Sequence, residues 1–127
     1  MKLRIRGNSL RLRLSQGEVR TLAERGKVED AIAFPGGARL VYRVRADGKS
    51  DEISAAYANN LIEVRIPETL VAQWCGTDLV TLSGARPTAS GELHLAVEKD
   101  FACLAPREGE DESDNFPHPG AGSGAAC

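Results

Sequence analysis

A chain of 127 residues with a net charge of −2 is long enough to bury a core without disulfide staples and short enough to be one domain plus a tail. The near-neutral total argues against a generic nucleic-acid binder, and no apolar run approaches the roughly 20 residues of a membrane helix. With aromatics at 5%, the core falls to Leu, Val, Ile and Ala.

Lys2–Arg6 and Leu10–Leu14 alternate apolar and charged residues, the period of two half-buried strands. Leu3, Ile5, Leu10, Leu12 and Leu14 share one face, and Arg4, Arg6, Arg11 and Arg13 the other. Gly7-Asn8-Ser9 supplies the turn. Ser15 and Glu18 form a capping box that opens a helix, Val19, Leu22 and Ala23 are its apolar stripe, and Gly26 stops it. Val28–Phe34 and Arg39–Arg45 are the next strands, turned by Pro35-Gly36-Gly37. Asp47-Gly48 reads as a hairpin turn into a weaker strand, Asp51–Tyr57. Asn59-Asn60 turns the chain into Leu61–Ile66. Pro67 opens a second helix with Leu70, Val71 and Trp74 inward, and Gly76 ends it. Asp78–Ser83 is a strand, Gly84–Gly91 a loop, and Glu92–Glu98 the last strand.

Each half therefore reads strand, turn, strand, helix, strand, loop, strand. The expected fold is α+β: a duplicated ββαββ unit over residues 1–99, with copies at about 1–46 and 50–99. A single ββαββ unit cannot bury its own sheet face, so two must share a core. Eight mainly antiparallel strands would close into a barrel or lie as two facing sheets, with two short helices. Residues 100–127, rich in acid, Pro and Gly, form an acidic tail in which Phe101, Leu104 and Phe116 are candidates to dock.

Met1-Lys2-Leu3-Arg4-Ile5-Arg6-Gly7-Asn8-Ser9-Leu10-Arg11-Leu12-Arg13-Leu14, Glu98-Lys99-Asp100-Phe101-Ala102-Cys103-Leu104 and Glu110–Pro119 are the distinctive stretches. They resemble a small bacterial family catalogued as domain of unknown function 7009. The resemblance spans nearly the whole chain and implies that the tail is a family feature. It brings no activity, substrate or catalytic residue with it.

Charge is distributed unevenly. Residues 1–45 hold eleven Lys/Arg against four Asp/Glu, whereas residues 46–98 hold three against eight, and 99–127 two against six. Like charges on neighbouring strands repel, so Arg4, Arg6, Arg11 and Arg13, with Arg39, Arg43 and Arg45 as possible neighbours, need water, carboxylates or an anionic ligand. The plain expectation is a solvated sheet face with partners such as Glu63, Glu92 or Glu98. The alternatives are the chain's own acidic tail or an external phosphate-rich anion. The layout loosely resembles triphosphate-tunnel enzymes, but their first strand carries metal-holding glutamates where this one carries Lys2, Arg4 and Arg6. No stacking aromatics interleave the basic face, which argues further against nucleic acid.

Cys103, His118 and Cys127 are candidate ligands for zinc or copper, although their spacing fits no finger pattern. Free thiols and an exposed histidine are the simpler account. Cys75 beside Trp74 reads as a core residue. Asp114–Pro119 reads either as a linear motif for a partner protein or as an arm folded back on its own domain. No nucleophile, phosphate-loop or metalloprotease signature occurs. With no leader expected before the first strand and an odd cysteine count, the expectation is a cytoplasmic protein, monomer or homodimer, without a membrane span. Its expected role is a non-enzymatic binding or adaptor module for a protein or an anionic small molecule. The rivals are metal binding and an enzyme acting on phosphorylated ligands.

Overall fold

The computed structural model describes residues 1–101 and 113–117. The first hairpin joins β1 (Lys2–Arg6) to β2 (Ser9–Leu14), with Gly7 in the left-handed region at φ 53°. Helix α1 (Gln16–Arg25) begins at the expected capping box: Ser15 Oγ accepts from the Glu18 N–H, and the Glu18 carboxylate accepts from the Ser15 N–H. Val19 and Leu22 are buried, but Ala23 is exposed, so the buried stripe is narrower than the sequence pattern implied. Next come β3 (Lys27–Ala33), a 3₁₀ turn at Pro35–Gly37 and β4 (Arg39–Asp47). Strand β5 (Ser54–Ala58) turns through Asn59 and Asn60, both at positive φ, into β6 (Leu61–Pro67). Helix α2 (Glu68–Gly76), β7 (Thr81–Thr88) and β8 (Gly91–Lys99) complete the domain.

These strands form two four-stranded sheets, and neither closes into a barrel. Sheet A runs β1-β2-β8-β7 and sheet B runs β3-β4-β6-β5. Each outer pair is an antiparallel hairpin, whereas the two central pairs, β2 with β8 and β4 with β6, are parallel. The expectation of a mainly antiparallel array holds for the four hairpin pairs, and the two central pairs depart from it. Strands β2 and β6 run into helices and β3 and β7 leave them, so both helices lie at one end and all four hairpin turns at the other. Strands that leave a turn therefore all run the same way, and two of them side by side must be parallel.

Two local expectations are corrected for related reasons. Asp47-Gly48 is not a hairpin turn, because β4 is already flanked by β3 and β6, and β5 lies beyond β6. The segment instead crosses a sheet end, with the Lys49 N–H donating to Asp47 Oδ1 at 2.9 Å. Gly84–Gly91 is not a loop, because β7 continues to Thr88 with Pro87 opposite Glu92. As an edge strand, β7 tolerates the missing proline N–H.

The inner faces of both sheets and one stripe of each helix meet in a single core. Sheet A contributes Leu12, Leu14, Leu82, Leu95 and Val97; sheet B contributes Val28, Val44, Val64 and Ile66; the helices add Val19, Leu22, Val71 and Trp74. Trp74 is fully buried, and its indole N–H donates to the Val80 carbonyl at 2.8 Å, which meets the usual need of a buried indole.

Of the two readings of the motif beginning at Asp114, its described part folds back on the domain. The Gln16 N–H donates to the Asp114 carbonyl at 2.9 Å, and the Gly17 N–H faces the Asp114 carboxylate at 3.2 and 3.3 Å. Together with the Ser15 cap, these contacts occupy the first-turn donors of α1. Gly17 makes this approach possible, since a Cβ there would lie 2.9 Å from Asp114 Oδ2. The Phe116 N–H donates to the Asp100 carbonyl at 2.7 Å, and its ring packs 5.7 Å from that of Phe101. The Lys99 ammonium lies 5.6 Å from the Phe116 ring centre and 5.8 Å from that of Trp74, while donating to the Thr77 carbonyl at 2.7 Å.

Candidate anion-binding face

Alternation along β1 and β2 fixes which side chains share the outer face of sheet A, and the strand register sets them in rows. The first row is Lys2, Arg13, Glu98 and Thr81; the second is Arg4, Arg11, Ala96 and Ser83; the third is Arg6, Ser9, His94 and Ala85. The face grades from basic at the β1 edge to small and neutral toward β7.

The first row is neutralised. Glu98 accepts from Arg13 Nε at 2.7 Å and from Thr81 Oγ1 at 3.3 Å, and Arg11 Nε stands 3.7 Å away. Lys2 Nζ pairs with Asp100 at 3.0 Å. The next two rows are different. Arg4, directly opposite Arg11, and Arg6, opposite Ser9, are exposed, and neither has a carboxylate partner among the described residues. Arg4, Arg6, Ser9 and Arg11 enclose a recess of about 100 Å³. Beside it a broader trough of about 490 Å³ is floored by Ser9, Ser83, Ala85 and Ala96 and bounded by Arg11 and His94. Small side chains at these positions let a ligand approach the sheet, while the guanidinium groups supply forked donors for oxyanions.

All four arginines singled out from the sequence thus lie on one face, and Glu98 is the partner expected for two of them. Arg43 and Arg45 do not join them, because they lie on the outer face of sheet B. There Glu63, only 7% exposed, accepts from Arg65 Nε at 2.7 Å and Arg43 Nη1 at 3.1 Å, with Arg45 Nη2 at 3.3 Å. Burial raises the Glu63 carboxyl, but the hydrogen bonds from Arg65 and Arg43 and the charge of Arg45 outweigh it, and its pKa falls below the ordinary value. Burial also pushes the Cys75 thiol up, and its Sγ–H points at the Val19 carbonyl, 3.7 Å away.

Sequence reasoning missed Ser83, Ala85 and the position of His94. His94 was legible as outward-facing next to Glu92, whose carboxylate is 3.9 Å from its Nε2. The parallel β2–β8 pairing that carries His94 beside Ser9 leaves no local mark in the sequence. Cys103, His118 and Cys127 lie outside the described residues, as do Leu104 and the acidic run 108–112. Among the described residues, no three His, Cys, Asp or Glu side chains gather closely enough to hold a metal ion. The described tail residues contact α1 and the end of β8, with no ion pair to Arg4, Arg6, Arg11 or Arg13.

A family model described as "Family of unknown function (DUF7009)" matches residues 1–120. The chain belongs to the DUF7009 family. No curated protein and no solved structure matches it. The DUF7009 match covers the arginine face, both sheets and the clasp at 113–117. Among the described residues of this DUF7009 chain, no helix is long and apolar enough to cross a membrane.

Proposed function

We propose that this chain is a non-enzymatic binding module whose sheet A outer face takes a phosphate-class anion. One observation carries the reading: Arg4 and Arg6, without carboxylate partners among the described residues, converge with Arg11 and Ser9 on one recess. The experiment is calorimetric titration of the full-length protein with pyrophosphate at low salt. Arg4→Gln/Arg6→Gln is expected to weaken binding by more than tenfold, about 1.4 kcal/mol or more. Arg13→Gln, whose partner is Glu98, should weaken it less. No heat of binding, or equal losses from both variants, sinks the reading. An enzyme acting on phosphorylated ligands would also consume pyrophosphate during the titration. The metal reading, with zinc or copper on Cys103, His118 and Cys127, is read separately from the metal content of untagged protein.

The fold supports a second part of the proposal, that residues 1–99 are two ββαββ copies exchanging hairpins. Renumbering β1–β4 as β5–β8, and the reverse, converts the strand order of sheet A into that of sheet B. Under that exchange buried residues correspond: Leu12 with Val64, Leu14 with Ile66, Val19 with Val71, Leu22 with Trp74, Val28 with Leu82, and Val97 with Val44. Arg4, Arg6 and Arg11 correspond to Ala56, Ala58 and Glu63, so the arginines of the recess belong to the first copy alone. In this proposal the tail from residue 100 clasps a cytoplasmic domain and presents the remainder to a partner.

A further inference from the structure

Ser9 stands at the junction of the two hollows on the outer face of sheet A, because it lines both the recess of about 100 Å³ and the trough of about 490 Å³. Arg11 is the other residue they share. The hollows differ in chemistry. The recess is walled by the guanidinium groups of Arg4, Arg6 and Arg11 and has the scale of a single tetrahedral oxyanion. The trough has the size of a small-molecule site, and Arg11 is the one Lys or Arg side chain that lines it. No carboxylate lines either hollow among the described residues. The carboxylate nearest to Arg11 is that of Glu98, which already accepts from Arg13 and Thr81.

The groups of the trough indicate what extends from the oxyanion. The Ser9 hydroxyl donates to the Arg6 carbonyl at 2.6 Å, so its oxygen is left to a ligand as an acceptor only. A ligand hydroxyl satisfies that oxygen, whereas an ionised second phosphate brings acceptors and no proton. Ser83, in the row of Arg4, Arg11 and Ala96, is exposed, and its hydroxyl has no partner among the described residues. Between the two serines the floor is made by Ala96, Ala85 and Gly84, in strands whose peptide groups are paired in the β2–β8–β7 ladders. Such a floor takes the C–H face of a ring, and the serine hydroxyls meet hydroxyls on the ring. His94 bounds the trough, with the Glu92 carboxylate 3.9 Å from its Nε2. A chain of phosphates needs a further cation for each unit, and the trough adds no Lys or Arg beyond the shared Arg11. We infer that the ligand is a phosphate monoester of a polyhydroxylated body, the sugar-phosphate class, with its phosphate in the recess and its body over the trough. This rests on the outer-face reading above and adds what the phosphate carries.

The test is calorimetric titration of the full-length protein at low salt with inorganic phosphate, pyrophosphate, ribose 5-phosphate and pentyl phosphate. Near-UV circular dichroism checks that each variant is folded. Ribose 5-phosphate is expected to bind roughly tenfold more tightly than inorganic phosphate, the effect of one or two added hydrogen bonds. Pentyl phosphate, the same ester without hydroxyls, should stay close to inorganic phosphate. Ala96→Leu, which raises the floor, should abolish the advantage of ribose 5-phosphate over inorganic phosphate, and Ser83→Ala should reduce it several-fold. Ribose 5-phosphate binding no tighter than inorganic phosphate, or an advantage unchanged in both variants, overturns this inference and leaves the outer-face reading standing. Equal gains for pentyl phosphate and ribose 5-phosphate overturn the polyhydroxylated body. Pyrophosphate weakened by Ala96→Leu as much as ribose 5-phosphate marks the trough as a second phosphate subsite and also overturns the inference. Absence of binding by every ligand overturns the outer-face reading and this inference together.

Discussion

Glu63 illustrates how one carboxylate holds a crowded face together. Arg43, Arg45 and Arg65 lie on adjacent strands and repel one another unless Glu63 stays ionised among them. Its folded pKa is depressed, so its contribution is fully present above the ordinary glutamate pKa and is lost as pH falls through the folded value. Glu63→Gln should therefore destabilise the protein by about 1–3 kcal/mol at pH 7, because a buried acceptor for charged donors is lost. The deficit should shrink as pH falls from the ordinary glutamate value towards the lower folded one, through which the wild type loses the same charge. Urea unfolding at pH 7 and at pH 3.5 checks this, and a deficit that does not change with pH would contradict it. The sequence marked Glu63 as a possible partner for basic neighbours. It could not show that the residue serves sheet B, because pairing across parallel strands depends on which strands become neighbours.

At the scale of the element, α1 shows a local signal completed from a distance. Ser15, Glu18 and Gly26 specify both ends of the helix, and the structure keeps both. The remaining first-turn donors are met by Asp114, 97 residues away from Gly17. Replacing Gly by Ala at an exposed helical position ordinarily adds about 0.5–1 kcal/mol. Gly17→Ala should gain less than this in the full chain, because its Cβ would displace the Asp114 carboxylate. The normal gain should return in an Asp114→Ala background, and a thermal-unfolding double-mutant cycle reads the difference. Additive effects would show that the clasp does not bear on the helix. Strand β7 is the opposite case. Gly84 and Pro87 read as loop residues, yet cross-strand pairing with β8 draws both into a strand. Local punctuation loses there because an edge strand needs hydrogen bonds on one side only.

For the molecule as a whole, the clasp links the tail to the fold. Residues 113–117 cap α1, cover Lys99 and stack on Phe101, so this part of the tail is bound to the domain. A chain ending at residue 99 should still fold, since the buried core residues run from Leu12 to Val97 and Phe116 only packs against them, but should melt several degrees lower. A chain ending at residue 117 should match the full-length melting temperature. Differential scanning calorimetry of the two truncations separates them, and equal melting points would show that the clasp contributes nothing.

The sequence alone determined what depends on neighbours along the chain. That includes the strands other than most of β7 and their faces, the capping box, the asparagine turn, the two helices, the buried Leu, Val and Trp positions, and the collection of four arginines on one side of a hairpin. Alternation, spacing and turn chemistry are short-range effects, so they survive in a one-dimensional reading. Only the tertiary structure decided that the central strand pairs are parallel, that two open sheets form in place of a barrel, and that Arg43 and Arg45 belong to the second face. It also decided that His94 borders the trough beside the arginine recess and that the sheets part at the turn end. Each of these depends on which hairpin lies beside which, and that choice is made by burying both sheets and both helices in one core.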